Sequence, residues 1–393
     1  MGPAVRRAMK VFPQAPLDRR DELARLLLRG NAFAAWASGA REHDALKRWF
    51  TYTPAMGPRR WKVPAISTVG DLESWLGAGG ADLEWLADWK GLERFAAAEH
   101  VRNYRYQWLA KRTGGWRLIE SPKPWLKAIQ RRILHGILDR IPPHDAAHGF
   151  RAGRSILSFA SPHAARALVL RLDLEDFFGN VTRARVMGIF RTAGYPEDVS
   201  RVLAALCTNQ ASAAVCQGVS SAVSQRRRWL TPHLPQGAPT SPALANLSTF
   251  GLDVRLTALT NSLGGHYTRY ADDLVFSFDR PVAGDRFLSH AAGIVLDEGF
   301  AANFHKLRSL GQAVRQQIAG IVVNAHPNIC RREFDRIKAL VHNCAVHGVA
   351  TQNRSASSHF REELLGRISW VSMVNPRRGE KLRAAFARIQ WEP

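Results

Sequence analysis

The chain has 393 residues, and its 55 Lys and Arg against 33 Asp and Glu leave a formal charge of +22, most of it carried by arginine. With 46% hydrophobic and 22% charged residues it can bury a sizeable core, which excludes disorder, and the length predicts two or three structural units. No run of about 18 apolar residues occurs, which excludes a membrane-spanning helix, and an excess of this size self-repels unless a polyanion neutralises it, so nucleic acid is the natural partner.

The N-terminus carries early arginines without an uninterrupted apolar core or a small-residue cleavage site, so no secretory signal is expected. Cys207, Cys216, Cys330 and Cys344 follow neither CxxC spacing nor a disulfide framework and read as buried thiols of a cytoplasmic protein. Residues 1–100 are expected to form a helical N-terminal extension. DRRDELARLLLRGNAFAAWA offers Asp18 as an N-cap, followed by apolar residues at three- and four-residue spacing, and the Pro- and Gly-containing stretch 54–70 breaks the region in two. In the second part Trp75, Trp85 and Trp89 with Leu72, Leu76, Leu83 and Leu86 make apolar stripes. They read as helix packing rather than a base-stacking platform, because residues 71–99 hold seven acidic and two basic side chains and would repel phosphate. That segment is −5, leaving +27 for the rest of the chain.

From about 101 the texture changes to strands, turns and short helices. KRTGGWRLIE (111–120) reads as two strand segments joined by a Thr113–Gly114–Gly115 turn, and PWLKAIQRRILHGILDRI (124–141) as a basic amphipathic helix ended by Pro142 and Pro143. ALVLRLDLEDFF (167–178) suits a buried strand with acidic residues at its C-terminal end. HYTRYADDLVFSF (266–278) alternates apolar and aromatic residues about a tight acidic turn, a hairpin signature. Residues 331–393 are mostly helical and basic.

Asp272 and Asp273 sit where that hairpin reverses, and like charges so close raise each other's pKa unless a cation compensates them. Asp173 closes the apolar strand LVLRL. If both elements share a sheet, three carboxylates can converge on two divalent ions about 3.5–4 Å apart, the arrangement used for in-line phosphoryl displacement. Oxygen-only ligands favour magnesium, two Mg2+ ions in this case.

The ordered set LRLDLEDFFGNV (171–181), HLPQGAPTSPALANL (233–247), YADDLVF (270–276), the lysine in NFHKLRS (303–309) and IAGIVVN (318–324) resembles the palm motifs of reverse transcriptases. KRTGGWRLIESPKPWLKAIQRRIL and HGFRAGRSI resemble their fingers. QGAPTSPALANL and the C-terminal LLGRISWVSMVNPRRGEKLRAAFARIQW are most similar to bacterial retron reverse transcriptases. The resemblance covers about 100–393 and implies an α+β right-hand polymerase fold: fingers and palm at 101–325, with an antiparallel palm sheet, and a helical thumb at 326–393. It implies that Asp173, Asp272 and Asp273 are the metal-binding catalytic carboxylates and that Lys306 protonates departing pyrophosphate. It further implies that Lys111 and Arg117 hold the triphosphate, that Gln236 lies near the nucleotide, and that Phe178 is the aromatic gate beneath the incoming sugar. Thumb residues Arg331, Arg332, Arg336, Arg354, Arg361, Arg377, Arg378 and Lys381 are expected to grip an RNA or hybrid backbone.

Retron enzymes, by the same resemblance, use a structured noncoding RNA as template and primer and dNTPs as substrates. They prime from a guanosine 2′-hydroxyl, yield RNA-linked single-stranded DNA (msDNA), and are encoded with effector proteins in anti-phage defence. The chain departs from the retron pattern at Phe159, where an Asn-Ala-x-x-His signature keeps only Ala160 and His163, and at Ile318–Ala319–Gly320, which replaces Val-Thr-Gly. Another bacterial reverse transcriptase, of intron, diversity-generating or defence type, is the alternative within the class, and a catalytically silent RNA-binding scaffold is the alternative outside it.

Overall fold

Leucines three or four apart at 72, 76, 83 and 86 dictate two short amphipathic helices, and both are present in the computed structural model, which describes residues 54–96, 99–111, 114–217, 223–280 and 282–391 together with Leu26. The expected Asp18 N-cap and Thr113 lie outside the described residues. The described residues up to Ile141 together with those of Thr182–Thr240 form one compact unit, and Pro142–Val181 together with the described residues from Ser241 onward form another.

In the first unit, Thr68 caps the helix Val69–Leu76 by accepting from the Asp71 amide, while the Asp71 carboxylate accepts from the Thr68 amide. Gly77 closes it in the left-handed conformation at φ 66°. The helix Gly80–Ala87 follows. All four leucines are buried, whereas Trp85 and Trp89 are 41% and 44% exposed, so the leucines form the core and the tryptophans its rim. Strands β1 (Tyr104–Ala110) and β2 (Trp116–Pro122) pair antiparallel, with Leu109 opposite Arg117 and Tyr106 opposite Glu120. The first strand therefore lies upstream of the expected segment, and Lys111 stands in the loop, where its amide donates to the Gly115 carbonyl at 3.0 Å.

The helix Pro124–Gly136 buries Leu126, Ile129, Gln130 and Ile133 and exposes Lys127, Arg131 and Arg132. It stops short of the expected residue 141. Gly136 is a poor helix former, and the chain leaves the helix after it through a single 3-10 turn, Leu138–Arg140; a Cβ at 136 would come within 2.5 Å of the Trp75 ring, which requires the glycine. Helices Arg183–Thr192 and Glu197–Cys207 pack on one another in the same unit.

The second unit is built on an antiparallel sheet ordered β4-β5-β3-β6, from β3 (Leu168–Asp173), β4 (Gly265–Tyr270), β5 (Asp273–Phe278) and β6 (Arg308–Gly311). Register fixes the faces, because side chains alternate along a strand. Leu170, Leu172, Leu274, Phe276 and Tyr267 share one face, where Phe287 of the helix Gly284–Asp297 meets Phe276 edge-on at 5.0 Å. Val169, Arg171, Asp173, Asp273, Val275 and Thr268 share the other.

That second face has a core continuous with three C-terminal helices, Arg331–His347, Phe360–Val374 and Pro376–Phe386. Val169 and Val275 cluster with Ile337, Val341, Ile368 and Val371. A small sheet of β7 (Gln317–Ile318), β8 (Ile321–Val322) and β9 (Asn328–Ile329) lies in the same cluster. Its two-residue turn, Ala319–Gly320, has both φ values positive at 44° and 89°, which a β-branched Thr at 319 would strain.

His163, kept with Ala160 from the retron signature, is buried, with Ser277 Oγ at 2.7 Å from Nδ1 and Thr268 Oγ1 at 2.7 Å from Nε2. The Thr268 hydroxyl donates to the Phe159 carbonyl and so accepts from the ring, which assigns the proton to Nε2. Burial pushes the imidazole pKa down to about 3 and keeps it neutral. Phe159, in place of asparagine, is fully buried against Tyr270, ring centroids 5.6 Å apart.

Cys207, Cys216 and Cys344 are buried as expected. Cys330 is not: it precedes the exposed, basic N-terminus of the helix Arg331–His347, where amides of the first turn lower its pKa and Arg315 Nη1 lies 3.5 Å from the sulfur. Among the described residues no helix is long and apolar enough to cross a membrane.

Candidate active site

Asp173 ends β3, Asp272 sits in the two-residue turn between β4 and β5, and Asp273 opens β5 directly opposite Asp173. The turn is tight because Ala271 takes φ 55°, which brings Tyr270 and Asp273 into register. Backbone bonds tie the strand ends together: the Leu174 amide donates to the Asp272 carbonyl at 2.9 Å and the Asn303 amide to the Asp173 carbonyl at 2.7 Å. The second bond sets the one-turn segment Phe304–Lys306 beside β3, and Lys306 Nζ donates to both oxygens of Asp173 at 2.9 and 3.0 Å. The structure thus brings Asp173, Asp272, Asp273 and Lys306 together.

Electrostatics mark this cluster as short of positive charge. Burial raises the Asp173 pKa even though Lys306 acts to lower it. Asp272 is raised to about 6, by burial first and then by the Asp173 and Asp273 carboxylates. Arg171 Nη2 approaches Asp273 Oδ1 at 3.5 Å and its Nη1 donates to the Gln317 carbonyl at 3.2 Å. Among the described residues no three His, Cys, Asp or Glu side chains are closed into a metal cage. The donor set, partly buried carboxylate oxygens whose ionisation is resisted by burial and mutual repulsion, nevertheless fits a hard divalent cation.

A buried network holds the turn from behind. Arg269, fully buried on β4, forms a bidentate pair with Asp253 of the helix Phe250–Asn261, Nε to Oδ1 at 2.8 Å and Nη2 to Oδ2 at 2.7 Å. Its Nη1 donates to Asn246 Oδ1 at 3.0 Å and to the Ala271 carbonyl in the turn itself at 3.1 Å. Asn246 in turn donates to the Gly149 carbonyl at 2.8 Å. Arg269, Asp253 and Asn246 belong to no motif; the one signal in the sequence is an arginine alternating onto the hairpin face that carries Tyr267, Leu274 and Phe276.

Phe178 starts the 3-10 turn Phe178–Asn180, five residues past Asp173, and its half-buried ring lies 5.6 Å from that of Phe177 and 6.2 Å from that of Phe150.

Residues 109–321 match the family described as reverse transcriptase (RNA-dependent DNA polymerase). The chain belongs to the reverse transcriptase family. It is 38% identical over 324 residues to the retron Mx65 reverse transcriptase of Myxococcus xanthus, covering 82% of this chain and 72% of that one. It is 36% identical to the retron Mx162 reverse transcriptase of the same organism, covering 80% and 65%, and 33% identical to the retron Ec86 reverse transcriptase of Escherichia coli, covering 70% and 77%. These relatives bear out the retron resemblance and the right-hand polymerase fold class: the protein is an RNA-directed DNA polymerase of retron type. Reverse transcriptases use divalent metal ions and act on nucleic acid, in keeping with the carboxylate cluster and the positive charge.

The other expected site residues lie on different elements. Lys111, Arg117 and Gln236 belong to the first unit, where Arg117 is exposed on β2 and the Gln236 carbonyl accepts from the Glu120 amide, three residues further along that strand, at 3.0 Å. Gly237 allows this approach, since a Cβ there would lie 2.9 Å from the Glu120 carbonyl oxygen. Below the loop, buried Glu120 accepts from Asn209 Nδ2 at 2.8 Å and pairs with His233 Nε2 at 2.8 Å. Burial alone would lower the His233 pKa, but the Glu120 carboxylate more than offsets it and holds the imidazolium above its ordinary value.

A group raised in this way adds stability below the unfolded histidine pKa near 6.5 and loses it as pH rises through the higher folded value. Glu120→Gln, which keeps an acceptor but removes the charge, is expected to cost about 1–3 kcal/mol at pH 6 and less at pH 9. Urea unfolding at the two pH values measures the difference.

In the C-terminal helices, Arg331, Arg332, Arg336, Arg361, Arg377 and Lys381, with Arg354 in the intervening loop, are exposed. Arg378 is drawn inward, its guanidinium 4.6 Å from the Phe334 ring centroid, and Arg361 lies 5.8 Å from that of Trp391.

Proposed function

We propose that the enzyme copies a structured noncoding partner RNA, using it as both template and primer, into RNA-linked single-stranded DNA, and that it does so in the cytoplasm as part of an anti-phage unit with an effector protein. The observation that carries this reading is the meeting of Asp173, Asp273 and the turn residue Asp272 at one end of one sheet in a chain of the retron family. Two magnesium ions held by these three carboxylates would lower the pKa of the priming hydroxyl and stabilise charge on the phosphates.

The protein's own side chains do the rest. Arg117 and Lys111 bind the triphosphate through cationic heads suited to phosphate oxygens. Gln236, on a loop fixed by Glu120, positions the nucleotide, and Phe178 excludes a 2′-hydroxyl. Lys306, with Nζ at 2.9 Å from Asp173, stands within reach of a leaving phosphate and gives it a proton. Arg331, Arg332, Arg336, Arg354, Arg361, Arg377, Arg378 and Lys381 are assigned to the backbone of RNA or hybrid, with Arg378 contributing mainly by packing.

Purification of the full chain from its host, followed by sequencing of bound nucleic acid, tests this directly. A single structured RNA with DNA joined through a guanosine 2′-oxygen is the expected result. Bulk cellular RNA with no attached DNA would overturn the partner-RNA reading. For the C-terminal helices, the Arg331, Arg332 and Arg336 triple alanine variant should weaken RNA binding about equally across sequences and reduce the salt slope by roughly 1 per lost phosphate contact. An unchanged slope would remove these residues from the interface.

A further inference from the structure

We infer that Phe150 is a specificity-determining positioning residue: it braces Phe178 and so sets discrimination between deoxy- and ribonucleotides. This rests on the reading of Phe178 as the sugar gate. Phe150 is 48% exposed, unusual for so large an apolar side chain, and takes φ 58°, in the left-handed region that a bulky residue enters only under constraint.

The constraint is visible on both sides of its backbone. Ala147 forms a parallel bridge with Arg269, the His148 amide donates to the Arg269 carbonyl at 2.8 Å, and Asn246 holds the Gly149 carbonyl. Gly149 is pressed so closely on the aspartate turn that a Cβ would lie 2.7 Å from the Ala271 amide nitrogen. The segment leaves this clamp with one outcome, a ring set 6.2 Å from Phe178 and 6.4 Å from Tyr270.

Phe178 needs such support. It stands on a single 3-10 turn, with no helix or strand to fix it, and Phe177 flanks its ring at 5.6 Å. A ring can reject one added hydroxyl only if it cannot yield, since an apolar wall that yields discriminates weakly against an extra hydroxyl. With Phe177 and Phe150 both in place, displacement of Phe178 is opposed by two rings. Without Phe150 that opposition is halved, although the ring itself remains. The strain at residue 150 belongs with this role, because ordinary packing would not require an exposed phenylalanine at a positive φ.

The test compares kcat/KM for dGTP and rGTP on an RNA template with magnesium, using the full-length enzyme with Phe150→Ala, Phe150→Gly, Phe150→Tyr and Phe178→Ala. Glycine tolerates the backbone conformation and keeps the protein folded if alanine does not. Expected is a roughly tenfold loss of deoxynucleotide preference in Phe150→Ala and Phe150→Gly, a larger loss in Phe178→Ala, and wild-type preference in Phe150→Tyr. Relaxed selectivity in Phe178→Ala with wild-type selectivity in both ring-deleted Phe150 variants would overturn the bracing role alone. Wild-type selectivity in Phe178→Ala would overturn the gate reading and the bracing role with it.

Discussion

Asp272→Asn is expected to lower DNA synthesis by at least about a thousandfold and, at the same time, to stabilise the metal-free protein at neutral pH. The activity loss follows from removing one of three carboxylates proposed to hold the metal ions. The stability gain follows from the pKa. Asp272 is raised from an ordinary 3.8 to about 6 by burial and by its two carboxylate neighbours, so ionising it in the folded state is unfavourable. Below the unfolded pKa it is protonated in both states and contributes no penalty. Between the ordinary 3.8 and about 6 the unfolded chain ionises while the folded protein keeps the proton, so the penalty grows across that interval and levels off above about 6 at about 3 kcal/mol, less whatever solvent screens at this partly exposed site.

An asparagine never ionises. The melting temperatures of wild type and variant, measured in EDTA, should therefore nearly coincide below about pH 4, separate between pH 4 and 6 with the variant higher, and keep a constant gap above about pH 6. Added magnesium should reverse the order by binding the wild type alone. A variant that melts lower than wild type at pH 7.5 in EDTA would show that Asp272 is stabilising as an anion and is not held in reserve for a cation.

The parts of this design legible in the sequence are those written in adjacent residues. The alternation in HYTRYADDLVFSF specifies a hairpin, and β4 and β5 pair in the register that places Tyr270 opposite Asp273. The apolar run ending at Asp173 specifies a central strand, and its partner in the sheet is the hairpin strand β5. What was not legible depends on residues distant in sequence. The need for glycine at 136, the last residue of its helix, comes from Trp75, more than 60 residues earlier, whose ring occupies the space a side chain would need. Cys330 reads as a buried thiol until its place before an exposed helix terminus is known. Glu120, His233 and Asn209 form one buried group from three separate segments, and no local pattern distinguishes a carboxylate awaiting such partners from one facing water. The same holds for Arg269: alternation puts it on the apolar face of the hairpin, but its partners Asp253 and Asn246 come from other elements.

Arg269→Met should therefore cost far more than the loss of one surface charge. Its guanidinium and the Asp253 carboxylate are both fully buried, and removing one partner leaves the other as an uncompensated charge, a loss of about 3–5 kcal/mol. Tyr267, whose hydroxyl donates to Asp253 Oδ1 at 2.8 Å, cannot replace that compensation because it is neutral. Replacing both partners, in an Arg269→Met, Asp253→Met variant, removes the stranded charge and should recover much of the stability, with the unpaired Tyr267 hydroxyl keeping recovery incomplete.

Activity should not follow stability. The third arm of Arg269 fixes the Ala271 carbonyl in the turn that carries Asp272, and its bond to Asn246 links that turn to the Gly149 carbonyl. Neither function can be performed by a methionine. Urea unfolding and polymerase assays on the single and double variants separate the two roles. If stability and activity return together in the double variant, Arg269 serves only the fold. If stability returns while synthesis stays low, the buried arginine orders the turn, and the geometry of the carboxylates depends on a side chain that touches neither substrate nor metal.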